Sequence, residues 1–367
     1  RYDAKDRFRI HSFMPVLRLN PGILAAVAAA VLFGASTPLA KLLVGALPPV
    51  MLAGLLYLGS GIGLATFRAL RRRDQNLEDS PLTRADMPWL AGAILSGGIV
   101  GPLLLMYGLQ ATSGSAASLL LNLEAVFTAT LAWFVFRENF DRRIFLGMAL
   151  IFAGGLVLSW QPTGASAGLS WGALLVAGAC LAWGIDNNLT RRVAASDAVQ
   201  IAGLKGLTAG IFNCGLALAI GAQLPPLSTA LAAGVVGLAG YGVSLVLFVV
   251  ALRHLGAART GAYFSIAPFF GAAVALWLLD DSASATFWIA ALLMAGGVWL
   301  HLTEHHEHLH EHAPITHAHR HVHDAHHQHE HGGGWDGVEP HTHEHTHERL
   351  VHRHPHYPDL HHRHRHE

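Results

Sequence analysis

Ser118–Glu138 reads SLLLNLEAVFTATLAWFVFRE, and 143 residues later Gly261–Asp281 reads GAYFSIAPFFGAAVALWLLDD. Each is an apolar run that closes on an acid. A bilayer's hydrocarbon core takes roughly 20 apolar residues as a helix, because every backbone polar group must find its partner within the segment. The next segments match at nearly the same shift, FAGGLVL from Phe152 against MAGGVWL from Met294. At the start of each half, FGASTPLAK from Phe33 parallels WGIDNNLTR from Trp183. Three aligned patches point to an internal repeat.

Working outward from these runs, ten segments of spanning length can be marked. They are Gly22 to Val44, Pro49 to Leu70, Met87 to Leu109, Ser115 to Phe136, Ile144 to Trp160, Leu169 to Leu189, Ala198 to Ala222, Thr229 to Leu252, Thr260 to Leu279 and Phe287 to Leu302. The expected fold is therefore all-α and integral to the membrane, in two five-helix repeats, 21–160 and 168–302. A segment 1–20 precedes them and a histidine-rich tail, 303–367, follows. Five is odd, so the second copy enters the membrane the other way up. Inverted repeats are a recurring basis of alternating access, in which two related halves rock about a site near the midplane.

Composition agrees. The chain is 52% hydrophobic and 13% charged, about half the charge of a soluble domain. Lysine and arginine collect on the cytoplasmic side of short loops, and here every second connection is basic: Arg71, Arg72 and Arg73 follow the second segment, Arg142 and Arg143 the fourth, Arg191 and Arg192 the sixth. The connections between, such as GALPP at 45–49 and GAQLPP at 221–226, hold no basic residue. The alternation predicts both termini in the cytoplasm and an inner-membrane location. The first apolar run is too long for the h-region of a cleaved signal. The two cysteines, Cys180 and Cys214, lie in apolar runs and offer no disulfide framework. No basic stripe suits a nucleic-acid backbone. Expected partners are membrane lipid and a small-molecule or ionic substrate, and a homodimer is compatible with the pattern.

The stretch LNLEAVFTATLAWFVFRE and the doubled plan resemble the EamA family of the drug/metabolite transporter superfamily, over about Pro21 to Leu302. The family often has proline after the first glutamate, where this chain has Ala125; the second half keeps Pro268, with Ala267 before it. The resemblance implies ten helices in inverted repeats and movement of small metabolites, without naming a substrate.

An ionisable group at the bilayer centre costs roughly 3 kcal/mol on insertion scales, so each one needs a reason. Glu124 is the leading candidate for a proton- or cation-responsive site. Asp186, Asn187 and Lys205 are further substrate or coupling candidates, against the plainer reading that Lys205 neutralises Glu124 or Asp186. Lys41 reads as snorkelling to the outer surface, and Asn187 and Asn188 could equally cap their helix. Pro38 and Pro268 each free a carbonyl four residues earlier, and such breaks often line a transport pathway. Gly59 and Gly63, Gly97 and Gly101, and Gly206 and Gly210 form small-residue faces for close helix approach. Trp89, Trp160, Trp171 and Trp288 read as interface anchors.

From His301 to Glu367, 25 of 67 residues are histidine, alternating with acids. Such a segment predicts a disordered chain. Imidazole and carboxylate without thiolate suit Zn, Ni, Co or Cu(II). The candidate ligands are His305, His306, His308, His310, His312, His317, His319, His321, His323, His341, His343, His345 and His347. HEHLH and HEHTH match the zincin pattern only by accident, since every other residue there is histidine. No cofactor is required and no catalytic constellation is visible. The function that follows is a secondary transporter exporting a metabolite or divalent metal, with a metal-binding tail. The alternative is a membrane-anchored metal buffer or sensor that transports nothing.

Overall fold

The computed structural model describes residues 21–71, 82–136, 142–161, 168–193, 197–248, 250–251, 260, 263–303, 307–312, 315–321, 341–347 and 350–355. The segment 1–20 lies outside them. The chain forms two compact units, Arg1–Leu302 and Thr303–Glu367.

In the first unit the helices are α1 (Pro21–Val44), α2 (Pro49–Leu70), α3 (Arg84–Gln110), α4 (Gly114–Phe134), α5 (Arg142–Ser159), α6 (Trp171–Thr190), α7 (Ala198–Ala219), α8 (Leu227–Phe248), α9 (Ala267–Leu278) and α10 (Ala285–Leu302). All but α6 and α9 are long and apolar enough to cross a membrane, eight in all among the described residues. α6 is diluted by Asp186, Asn187 and Asn188, and α9 is short at 12 residues. Among the described residues of this unit the one strand pairing is a two-residue antiparallel pair, β1 (Trp160–Gln161) with β2 (Gly168–Leu169), at the join of the halves.

Large apolar side chains face outward: Trp277 is 80% exposed and Leu292 72%. A surface of that kind is stable against lipid. Trp89, Trp160, Trp171 and Trp288 are also exposed, and Arg192 sits 5.3 Å from the Trp89 ring. The interior mixes leucine and methionine with many alanines, glycines and small polar residues, and the small ones let helices pack closely. On α7, a Cβ added to Gly206 would lie 2.8 Å from Gly61 Cα on α2.

Helix neighbours follow the repeat. The most extensive contacts join α2 to α7, α3 to α6 and α5 to α10; α1 meets α8 and α9, while α6 also meets α4. Replacing each helix by its counterpart five places along leaves this pattern unchanged. The irregularities repeat as well. α3 holds a π-helical turn at Ile94–Val100 and α8 one at Leu238–Val243. α4 breaks at Leu121–Asn122, and the chain breaks again at Ser265–Ile266, before α9. Both expected continuous helices, Ser115 to Phe136 and Thr260 to Leu279, are thus interrupted. At the first break, Asn122 Nδ2 donates to Leu119 O at 2.9 Å, taking a carbonyl that the helix would otherwise use.

Pro38 does not break α1, which runs unbroken and buries it. The carbonyl that Pro38 frees belongs to Gly34, and there α1 crosses α9: a Cβ on Gly271 would lie 2.6 Å from Gly34 O.

In the second unit, β3 (Glu307–His312) pairs antiparallel with β6 (Leu350–Pro355), and β4 (Ile315–His321) with β5 (His341–His347). Histidine at alternate positions has the period of a strand.

Candidate functional site

A cavity of about 530 Å³ lies within the first unit. Phe33, Asn122, Glu124, Thr128 and Ile151 line it from the first half, and Asn187, Asn188, Phe264, Pro268, Val298 and His301 from the second. The two breaks place these residues. Leu121 and Asn122 end the first piece of α4, so Glu124 lies in the first turn of the second piece. Ser265 and Ala267 flank the other break, and Pro268, whose nitrogen has no hydrogen to donate, begins α9 there.

Asn187 Nδ2 donates to Glu124 Oε1 at 2.9 Å and lies 3.2 Å from Thr128 Oγ1. Asn188 Nδ2 donates to Thr128 O at 3.1 Å and Gly184 O at 2.8 Å. The two asparagines therefore join α6 to α4, and Asn187 does not act as a helix cap. His301 Nε2 lies 3.1 Å from Ile144 O. A carbonyl can only accept, so Nε2 carries the hydrogen, and in the neutral ring Nδ1 is left as an acceptor.

Asp186 and Lys205 are not among the lining residues. Lys205 Nζ reaches both carboxylate oxygens of Asp186, at 2.5 and 2.7 Å, and Thr190 Oγ1 donates to Oδ1 at 2.8 Å. The pair is nearly closed off, with side-chain exposures of 16% for Lys205 and 9% for Asp186. Lys205 thus neutralises Asp186; among the described residues Glu124 has no ion pair. Lys41 does not snorkel freely: it donates to the carbonyls of Leu109 and Thr112 at the end of α3. Nearby, Asp281 accepts from Ser115 N at 2.8 Å.

Beside the cavity, the π-helical turn of α3 leaves carbonyls outside the helical ladder, and three other helices supply donors. Tyr57 Oη donates to Gly97 O at 2.8 Å, Trp183 Nε1 to the same oxygen at 2.9 Å, and Asn213 Nδ2 to Gly98 O at 3.1 Å. The Tyr57 ring also stacks on Tyr241 in the second π-helical turn, with centroids 5.6 Å apart. α2 therefore touches both turns.

Of the six substrate or coupling candidates expected from the sequence, Glu124, Asn187 and Pro268 line the cavity, while Asp186, Lys205 and Pro38 do not. The expectation missed Phe33, Phe264, Thr128 and His301. His301 had a usable signal, being the last polar residue of an otherwise apolar helix.

The EamA-like transporter family profile matches residues 20–160 and again residues 170–303, once for each half. The chain belongs to this family. It is 29% identical over 293 residues to a protein named an uncharacterized transporter in Methanothermobacter thermautotrophicus, covering 76% of this chain and 85% of the relative. It is 24% identical over 253 residues to the uncharacterized inner membrane transporter YedA of Escherichia coli K12, covering 66% and 78%. Over 80 residues, 22% of this chain and 69% of the relative, it is 40% identical to a Pseudomonas fluorescens protein named as a probable flippase subunit, ArnE. A crystal structure aligns with a TM-score of 0.56 at 19% identity, covering 76% of this chain and 94% of that one, a likeness of fold. This EamA-like chain is a multi-pass membrane protein, and its family and named relatives place it among membrane transporters.

Of the expected metal ligands, His305, His306 and His323 lie outside the described residues. The register of β4 and β5 sets His317 opposite His345, His319 opposite His343 and His321 opposite His341. In the other pair, His308 stands opposite His354, His310 opposite His352 and His312 opposite Leu350. His347 faces Ile315 across the ladder.

Proposed function

We propose that this chain is a secondary transporter with ten membrane crossings in two inverted repeats, exporting a small organic solute across the inner membrane by alternating access. One observation carries the reading: both halves contribute to a single cavity that holds an intramembrane carboxylate. The exchange-invariant helix contacts and the paired π-helical turns support two equivalent packings of the same elements. A molecule that interconverts two such packings exposes the shared cavity to each side in turn. α6 and α9 complete the ten crossings as the sixth and ninth.

Cytoplasmic termini follow from the alternation of basic connections. Asn188 and Leu302, which line the cavity, lie at helix ends next to basic connections or the C-terminal tail. A cavity reached from that side loads from the cytoplasm, which suits export. A volume of about 530 Å³ suits an organic molecule, and a divalent ion would leave most of it empty. Glu124 acts as the coupling residue, while Asp186 and Lys205 tie α6 to α7. The tail binds divalent transition metal, supported by the facing histidines of β4 and β5.

The test is counterflow in proteoliposomes with amines, amino acids and divalent ions as candidate solutes. Flux of an organic solute that Glu124→Gln abolishes supports the reading. Flux unchanged by that substitution under every imposed ion gradient overturns the coupling role.

A further inference from the structure

We propose that the cavity takes a small organic cation, an ammonium or guanidinium group on an apolar body, with Glu124 receiving its charge. The inference rests on the transport reading of the same cavity and deepens it.

Four features of the lining carry it. First, the fixed charge is negative: Glu124 is present, and no lysine or arginine lines the cavity among the described residues. The nearby basic groups are engaged elsewhere, Lys205 on Asp186 and Lys41 on two backbone carbonyls. An anionic solute would enter against Glu124 with no counter-charge, whereas a cation would supply the partner that a carboxylate needs in a low-dielectric site.

Second, the polar atoms are weighted towards acceptors. Asn187 Nδ2 is engaged by Glu124 and Thr128, and Asn188 Nδ2 by two backbone carbonyls. His301 uses Nε2 on Ile144 O. What these groups still offer is the second carboxylate oxygen, two amide oxygens and an imidazole nitrogen, all of which accept, beside the hydroxyls of Thr128 and Ser265, which can donate or accept. A ligand with several N–H donors matches that set.

Third, Phe33 and Phe264 both line the cavity, with ring centroids 5.4 Å apart and planes tilted by 44°. Aromatic faces attract cations through the ring quadrupole. Fourth, apart from Asn122, Thr128 and Ser265 the remainder is apolar, with Leu121, Ile151, Val298 and Leu302 available to an apolar body.

The test uses the full-length protein in detergent and three probes of one shape: 2-phenylethylammonium, 2-phenylethanol and 3-phenylpropionate, titrated calorimetrically. The expected result is that the ammonium binds at least tenfold more tightly than the alcohol or the acid. Glu124→Gln should weaken the ammonium tenfold or more while changing the alcohol less than threefold, and Phe264→Leu should weaken the ammonium severalfold. The ranking of probes on the unmodified protein does not depend on any variant folding. Equal or tighter binding of the acid or alcohol, no binding of the ammonium at millimolar concentration, or an ammonium affinity indifferent to Glu124→Gln would each overturn the proposal. Counterflow of the same probes separates the two readings. Ammonium binding with this ranking but without counterflow sinks transport and leaves the cation site standing. Counterflow of the acid or alcohol without ammonium binding does the reverse.

Discussion

Replacing Lys205 by methionine removes the cation from the Asp186 carboxylate and keeps most of the side-chain volume. In the parent protein that carboxylate accepts at 2.5 and 2.7 Å from Lys205 and at 2.8 Å from Thr190. In Lys205→Met only the Thr190 hydroxyl remains, on a group whose side chain is 9% exposed. Removing one partner of such a pair costs about 3–5 kcal/mol, since the other charge stays desolvated and uncompensated. At roughly 2–4 °C per kcal/mol, the apparent melting temperature in detergent should fall by roughly 6–20 °C. Adding Asp186→Asn removes the orphaned charge. The amide oxygen can still accept from Thr190, so the double variant should return to within about 1 kcal/mol of the parent. Fluorescence-detected thermal unfolding of the parent, both single variants and the double variant gives the coupling energy. A fall of less than 2 °C in Lys205→Met, or a double variant as unstable as the two singles added together, would refute the claim that these charges neutralise each other.

Three further outcomes follow from the geometry. Tyr57→Phe and Trp183→Phe each leave Gly97 O with one donor and should cost about 1 kcal/mol or less, while the double variant orphans the carbonyl and should cost about 1–3 kcal/mol; thermal unfolding reads the difference. Gly271→Val puts a side chain where Cβ alone would lie 2.6 Å from Gly34 O and 3.0 Å from Ser118 Oγ, and overpacking of this kind costs about 1–3 kcal/mol or more; it should lower the monodisperse fraction in detergent chromatography. The full chain should bind Ni or Zn through the tail, and a chain ending at residue 302 should lose that binding. Metal needs the neutral imidazole, whose ordinary pKa is about 6.5, so affinity should be full above that pH and be lost as pH falls below about 6; metal titration at pH 7.5 and 5.5 measures it.

Much of the membrane unit was legible because its signals are local. Twenty-residue apolar runs and the punctuation between them fix helices to within a few residues, and α1, α2 and α5 begin and end close to where hydropathy sets them. The repeat was legible in LNLEAVF against FSIAPFF. The π-helical turns were not, although glycine pairs mark both, because a turn that gives up helical bonds is stable only where Tyr57, Trp183 and Asn213 arrive from other helices. The partner of Lys205 was equally hidden. Glu124 and Asp186 are both acids of neighbouring apolar runs, and only the placement of α6 and α7 in the fold, which brings Lys205 onto Asp186, decides between them. Pro38 is a related case: α1 runs unbroken through it, and the close crossing of α9 at Gly34 is visible only in the packing.

The account turns on two halves that face opposite leaflets, and paired cysteine labelling tests it most directly. With Cys180 and Cys214 replaced, single cysteines at Gly45 and Arg192, both exposed and just beyond the ends of α1 and α6, report on corresponding ends of the first helix of each repeat. In intact cells a membrane-impermeant maleimide should label position 45 and spare position 192, and inverted vesicles should give the opposite pattern. Labelling of both positions from the same side would mean that the halves run parallel, and the shared cavity could not then alternate between leaflets as described.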